Sequence, residues 1–183
     1  MVYSDKALRK LIASGRLLVD PYREEQLRPV GIRLHLAPEI LIPRPGQIVN
    51  PACDEDLKYD SVRIDETPYL LEPGGFVLGA TCERIRADAG LICRLEGRST
   101  IARLGLAIHC SSGIIDGIHE DARSPVLELA NVGLFRVLLS AFLPIGMLVV
   151  ESLRGTIDSK PQAQYEDQTK VRPPNLAFRT PAF

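Results

Sequence analysis

The chain has 183 residues, 45% of them hydrophobic, and a formal net charge of −1. That is enough apolar material for one ordinary domain with a real core, which excludes general disorder. The near-neutral charge excludes a global field that gathers nucleic acid or anionic membrane, so an anionic ligand must be held by local arginines.

No apolar run approaches the about 20 residues of a membrane span. The opening MVYSDKALRK lacks the apolar centre of a signal peptide. A cytoplasmic protein with no membrane and no nucleic-acid partner is expected. Cys53, Cys82, Cys93 and Cys110 form neither a CxxC pair nor a disulfide framework. Three of them stand in apolar, strand-like runs, where cysteine behaves as a small hydrophobe.

In chain order, Ser4 followed by Asp5 reads as a helix N-cap with an acidic first turn. Leu8, Leu11 and Ile12 then share one helical face, and Gly15 supplies the stop. Short apolar or alternating runs follow, giving strand expectations at 17–20, 30–36, 39–42, 61–65, 76–83, 91–95, 106–110, 125–130, 135–140 and 146–152. Pro43-Arg44-Pro45-Gly46, Pro73-Gly74-Gly75 and Pro144-Ile145-Gly146 are turns between them. Many short strands at this spacing predict an all-β sandwich or barrel, not βαβ units. Only 99–104 reads as a second, very short helix. Residues 1–158 are expected to form one β domain, and the polar, Pro-rich 159–183 a tail that is mobile or lies on something.

Three stretches carry chemistry. Leu95-Glu96-Gly97-Arg98-Ser99-Thr100-Ile101-Ala102-Arg103-Leu104-Gly105-Leu106 ends a strand and begins a helix with two hydroxyls and an arginine. Free amides at such a start, with Arg98, Ser99 and Thr100, suit phosphate oxygens. Taken alone, Ser99 as an N-cap and Arg98 as a solvated side chain is the simpler reading. Ile114-Ile115-Asp116 then closes an apolar run before a polar loop. Glu128, within Val126-Leu127-Glu128-Leu129-Ala130-Asn131, is a carboxylate in an apolar strand, either structurally paired or used for proton transfer.

Taken together, these stretches resemble the dCTP deaminase branch of the dUTPase-like superfamily. The likeness runs from Ser4-Asp5 through Gly97-Arg98-Ser99, Ala102-Arg103-Leu104-Gly105-Leu106, His109, Ile115-Asp116, Leu127-Glu128-Leu129 and Gly146-Met147 to Tyr165-Glu166-Asp167-Gln168. It implies a distorted, jelly-roll-like β-barrel that assembles as a homotrimer with active sites between subunits. The resemblance makes Ser99 and Arg103 the catalytic serine and arginine and Glu128 the general base. Arg98, Ser99 and Thr100 grip a triphosphate, and Asp116, Gln164, Tyr165 and Gln168 join in substrate binding, Gln168 closing over the phosphates. The ligands implied are dCTP, dUTP and dTTP-type nucleotides, with Mg²⁺ carried by the triphosphate and none held by protein side chains.

Hydrolytic deamination at cytosine C4 needs an activated water, a proton for the ring and leaving ammonia, and a stabilised tetrahedral intermediate. A carboxylate, a hydroxyl and a guanidinium are the required types. The zinc-dependent alternative needs an H-x-E…P-C-x-x-C pattern, and His119-Glu120-Asp121 has no cysteine pair after it. The expectation is therefore a zinc-independent deaminase forming dUTP.

Two other readings stand beside it. A dUTPase or bifunctional enzyme would use Asp116 to activate water against the α-phosphate with Mg²⁺ present, though the dUTPase Asp-Tyr-Arg-Gly is missing. A non-catalytic nucleotide-binding trimer is suggested by Gly31-Ile32-Arg33-Leu34-His35-Leu36-Ala37, where the family pattern has Asp and Arg in place of Arg33 and His35. The segment 117–127 also lacks the family's Pro-Gly-aromatic turn and runs longer than its pattern, and Gln164 stands where that pattern has Lys.

Overall fold

Glycine and proline turns cut this chain into strands too short to make a sheet with sequence neighbours alone, so pairing is mostly long-range. The computed structural model describes residues 1–53, 56–116, 121–155, 157, 165 and 168–176, and of residue 116 the backbone only.

The chain opens with α1 (Asp5–Ala13), whose Leu8 and Leu11 enter the core. Ser4 occupies the N-cap in extended conformation, but its hydroxyl makes no capping bond. Gly15 follows the helix at φ +72°, a left-handed turn that a side chain would strain. Then come β1 (Leu17–Asp20), a 3₁₀ turn (Glu24–Gln26), β2 (Leu27–Arg28), β3 (Gly31–His35), β4 (Glu39–Pro43) and β5 (Tyr59–Arg63). β6 (Tyr69–Leu71), β7 (Phe76–Ala80), β8 (Arg84–Ala87) and β9 (Leu91–Gly97) lead to the one-turn helix α2 (Ser99–Ala102). β10 (Leu106–Ala107), β11 (Ile114–Asp116), β12 (Val126–Asn131), β13 (Val137–Leu139) and β14 (Pro144–Ser152) complete the described elements.

Among the described residues the strands make two five-stranded sheets, ordered β10-β12-β7-β4-β5 and β11-β9-β14-β3-β2, with the two-stranded ribbons β1-β8 and β13-β6 beside them. The all-β expectation holds. Ile32 and Leu34, Cys93 and Leu95, and Leu148 and Val150 from one sheet share a single core with Ile40, Val77, Leu127 and Leu129 from the other. Burial of this kind stabilises by about 25 cal/mol per Å² of apolar surface removed from water.

Several expected strands change length or place. The run at 76–83 forms a continuous strand only over Phe76–Ala80, and that at 106–110 only over Leu106–Ala107. Four further strands, β2, β6, β8 and β11, fall outside the runs expected as strands. In β8 the arginines alternate with buried Ile85 and Ala87, so a period of two was present beneath a charged composition.

Two features position the site. β12 alternates strictly: Leu127, Leu129 and Asn131 are buried, while Val126, Glu128 and Ala130 face the other side of the sheet. That side carries a second, smaller cluster of Leu41, Leu78 and Ala80, covered by Val171 from the tail. The tail, where described, therefore lies on its own chain.

Candidate active site

Glu128 is half-buried on the outer side of β12, not in the main core. Its Oε2 accepts hydrogen bonds from the backbone amides of Cys110, at 2.7 Å, and Ser111, at 3.3 Å. Those amides lie on the chain leaving β10, held alongside β12 by the Glu128 N–H donating to the Ile108 carbonyl at 3.0 Å. The carboxylate is thus aimed by backbone, and no hydrogen bond engages Oε1 among the described residues. A strand glutamate that looked like a core anomaly is a surface-facing group with a fixed orientation.

Glu128 lines a cleft of about 450 Å³. Glu128, Tyr165 and Gln168 of the expected site residues line it, together with Arg123, Arg172 and the apolar or aromatic Tyr59, Phe76 and Leu78. That volume and that mixture, apolar walls with a few polar groups, match a small-molecule site. Gln168 is buried, and its Nε2 donates to the Ser124 carbonyl at 2.8 Å. Tyr165 Oη accepts from the Asn175 amide at 3.1 Å. Tyr59, Phe76, Arg123 and Arg172 were not anticipated, because each stands alone in sequence and only pairing of distant strands and docking of the tail collects them.

The α2 residues do not line this cleft. Ser99, Thr100 and Arg103 are exposed, and Arg98 is half-buried with its Nη1 donating to the Pro144 carbonyl. Asp116 ends β11 opposite Ile92. Gln164, like the 117–120 stretch that includes His119, lies outside the described residues. One chain therefore brings Glu128, Tyr165 and Gln168 together, and Arg98, Ser99, Thr100 and Arg103 are not among the residues lining their cleft.

The departure at 35 has a structural answer. His35 Nδ1 lies 2.6 Å from Oε1 of Glu83, and the His35 amide donates to Oε2 at 2.9 Å. Gln26 Nε2 donates to the same carboxylate at 2.7 Å and also to the Arg33 carbonyl at 3.1 Å. Glu83 is 1% exposed, so these contacts replace the water it gave up. Among the described residues no group of three His, Cys, Asp or Glu is arranged to hold a metal ion.

Comparison with known proteins now decides the family. A profile described as dCTP deaminase-like matches residues 2–153. The chain belongs to the dCTP deaminase-like family. It is 34% identical to "dCTP deaminase, dUMP-forming" of Methanoregula boonei over 175 residues, covering 93% of this chain and 94% of that protein. It is 30% identical to the protein of the same description from Methanosphaera stadtmanae, covering 91% and 86%. The corresponding protein of Mycobacterium leprae is 35% identical over 153 residues, covering 82% and 80%.

The fold agrees. The crystal structure of 2′-deoxycytidine 5′-triphosphate deaminase from Agrobacterium tumefaciens superposes with a TM-score of 0.63 at 15% identity, over 81% of this chain and 47% of that one. This dCTP deaminase-like chain thus spans about half of that structure, and 80–94% of the length of these three relatives. In this dCTP deaminase-like chain His35, standing where the family pattern has Arg, is paired with the buried Glu83.

Proposed function

We propose that this chain deaminates dCTP by water, with Glu128 carrying the protons, and takes the product on to dUMP. The observation that carries the reading is Glu128 itself: a carboxylate held by the Cys110 and Ser111 amides at the wall of a nucleoside-sized cleft. In the deamination, water adds to C4 as Glu128 accepts its proton. Glu128 returns that proton to N3, and a second transfer releases ammonia as the C–N bond breaks, giving dUTP. One positioned carboxylate can serve each transfer in turn.

The exposed Ser99 and Arg103 complete the site from a neighbouring chain, and Arg98 with Thr100 grips the triphosphate there. This requires the homotrimer that the resemblance implies. Val132, Leu134 and Phe135, large apolar side chains at 64–92% exposure, support a surface that another subunit covers. Mg²⁺, bound by phosphate oxygens, would neutralise charge on the triphosphate in the second step. Asp116 is the carboxylate assigned to the water that attacks the α-phosphate. No helix among the described residues is long and apolar enough to cross a membrane, which fits action on free nucleotides in the cytoplasm.

The onward step to dUMP is favoured because the relatives at 30–35% identity are described as dUMP-forming. The test is incubation with dCTP and Mg²⁺, with products separated by chromatography. Ammonia, dUMP and diphosphate are expected. Accumulation of dUTP alone would leave a plain deaminase, the second reading. Unchanged dCTP would overturn both.

A further inference from the structure

We propose that Arg123 is a specificity-determining residue, gripping the triphosphate of a nucleotide bound in the Glu128 cleft. The inference rests on the functional reading above and deepens it. Arg123 lies in the 117–127 segment, where this chain departs from the family pattern, and it lines the cleft. It does not stand on loose chain. Its amide donates to the Ile85 carbonyl at 3.0 Å, and the Ile85 amide donates to the Arg123 carbonyl at 2.7 Å, a two-bond bridge onto β8.

Arg123 Nε is enclosed and has no hydrogen-bond partner among the described residues. Buried donors are nearly always satisfied, so an orphan at a ligand site points to an acceptor supplied by the ligand. The next residue is stitched to the tail. The Ser124 amide donates to the Gln168 carbonyl at 2.9 Å, Gln168 Nε2 donates to the Ser124 carbonyl at 2.8 Å, and Ser124 Oγ donates to the Thr169 carbonyl at 3.4 Å. Arg123 is therefore launched from the point where the tail lands, beside Tyr165 and Gln168.

Charge selects the acceptor. A pyrimidine ring offers neutral acceptors only, whereas a triphosphate is multiply anionic and matches the planar fork with two parallel, charge-assisted hydrogen bonds, the stronger pairing. The cleft should therefore distinguish nucleoside triphosphates from nucleosides through Arg123.

The experiment uses the full chain, wild type, R123M and R123K, titrated with Mg-dCTP, deoxycytidine and inorganic tripolyphosphate by calorimetry, alongside steady-state kinetics. R123M should weaken dCTP and tripolyphosphate by about 10- to 100-fold and change deoxycytidine by less than about twofold. KM for dCTP should rise while kcat stays within about threefold, and R123K should recover part of the loss as a point charge without a fork. Equal losses for dCTP and deoxycytidine, or unchanged dCTP affinity, would overturn the proposal. Failure of the functional reading appears separately, as wild type that binds tripolyphosphate but does not turn over dCTP. If R123M melts early, R123K decides: wild-type selectivity for dCTP and tripolyphosphate over deoxycytidine, with no loss of affinity, would count against the fork.

Discussion

Glu128 on β12 and the backbone amide of Cys110 meet at 2.7 Å, joining a side chain of one strand to the chain that has just left its neighbour. The bond sets the direction of a carboxylate that has no ion-pair partner among the described residues. Glu128→Gln keeps the shape and an acceptor oxygen for that amide but removes the proton carrier. Deamination should fall by at least about 100-fold while dCTP affinity stays within about threefold. Rapid-quench turnover and calorimetry on the same preparation would show the split. Wild-type turnover by the variant would remove Glu128 from the chemistry.

The buried carboxylate of Glu83 gives a stability prediction. His35→Ala deletes one of its side-chain donors and leaves the charge in place, which should cost about 2–4 kcal/mol. Denaturant unfolding monitored by fluorescence would measure it. A cost near zero would mean that water reaches Glu83 in solution.

Gly105 and Gly133 supply a steric prediction. Gly105 sits at φ +81°, and a Cβ there would lie 2.3 Å from Gly133 Cα. Gly105→Ala combines left-handed strain with a backbone clash that no rotamer relieves, so a loss of about 2–4 kcal/mol is expected. Thermal melting should show it clearly. Because Gly105 leads into β10, which precedes Cys110, the variant should also lower activity before it unfolds.

Val171 is 4% exposed against Leu41, Leu78 and Ala80. Val171→Asp would put a charge into that contact, and releasing the tail is easier than burying the charge. The expected phenotype is early proteolytic cleavage after residue 155 and a raised KM, with melting of the β domain little changed. A large fall in melting temperature instead would show that the tail is part of the cooperative unit.

The thiols should be slow nucleophiles. Burial pushes Cys93 up to about 12, and burial aided by the Glu83 charge pushes Cys82 up to about 11. Burial and then the Glu128 charge raise Cys110 in the same direction. A raised thiol pKa means less thiolate at pH 8 than in a free cysteine, so alkylation of all three should lag a model thiol and rise with pH. Mass spectrometry after timed iodoacetamide exposure reads this residue by residue. Bound dCTP should slow Cys110 further.

Sequence alone determined the class of fold, because turn residues and alternating apolar runs are local properties. It also marked α1, most strands and the family, through contiguous stretches such as Gly97-Arg98-Ser99 and Leu127-Glu128-Leu129. Tertiary structure alone decided which way Glu128 faces, since a strand's two faces are distinguished only by what packs on each. It also decided that Glu83, Gln26 and His35 satisfy one another, and that Arg123 shares a cleft with Tyr165 and Gln168. Those groups come from positions far apart in the chain, and the energy that joins them, buried hydrogen bonds and sheet pairing, exists only once the strands have met.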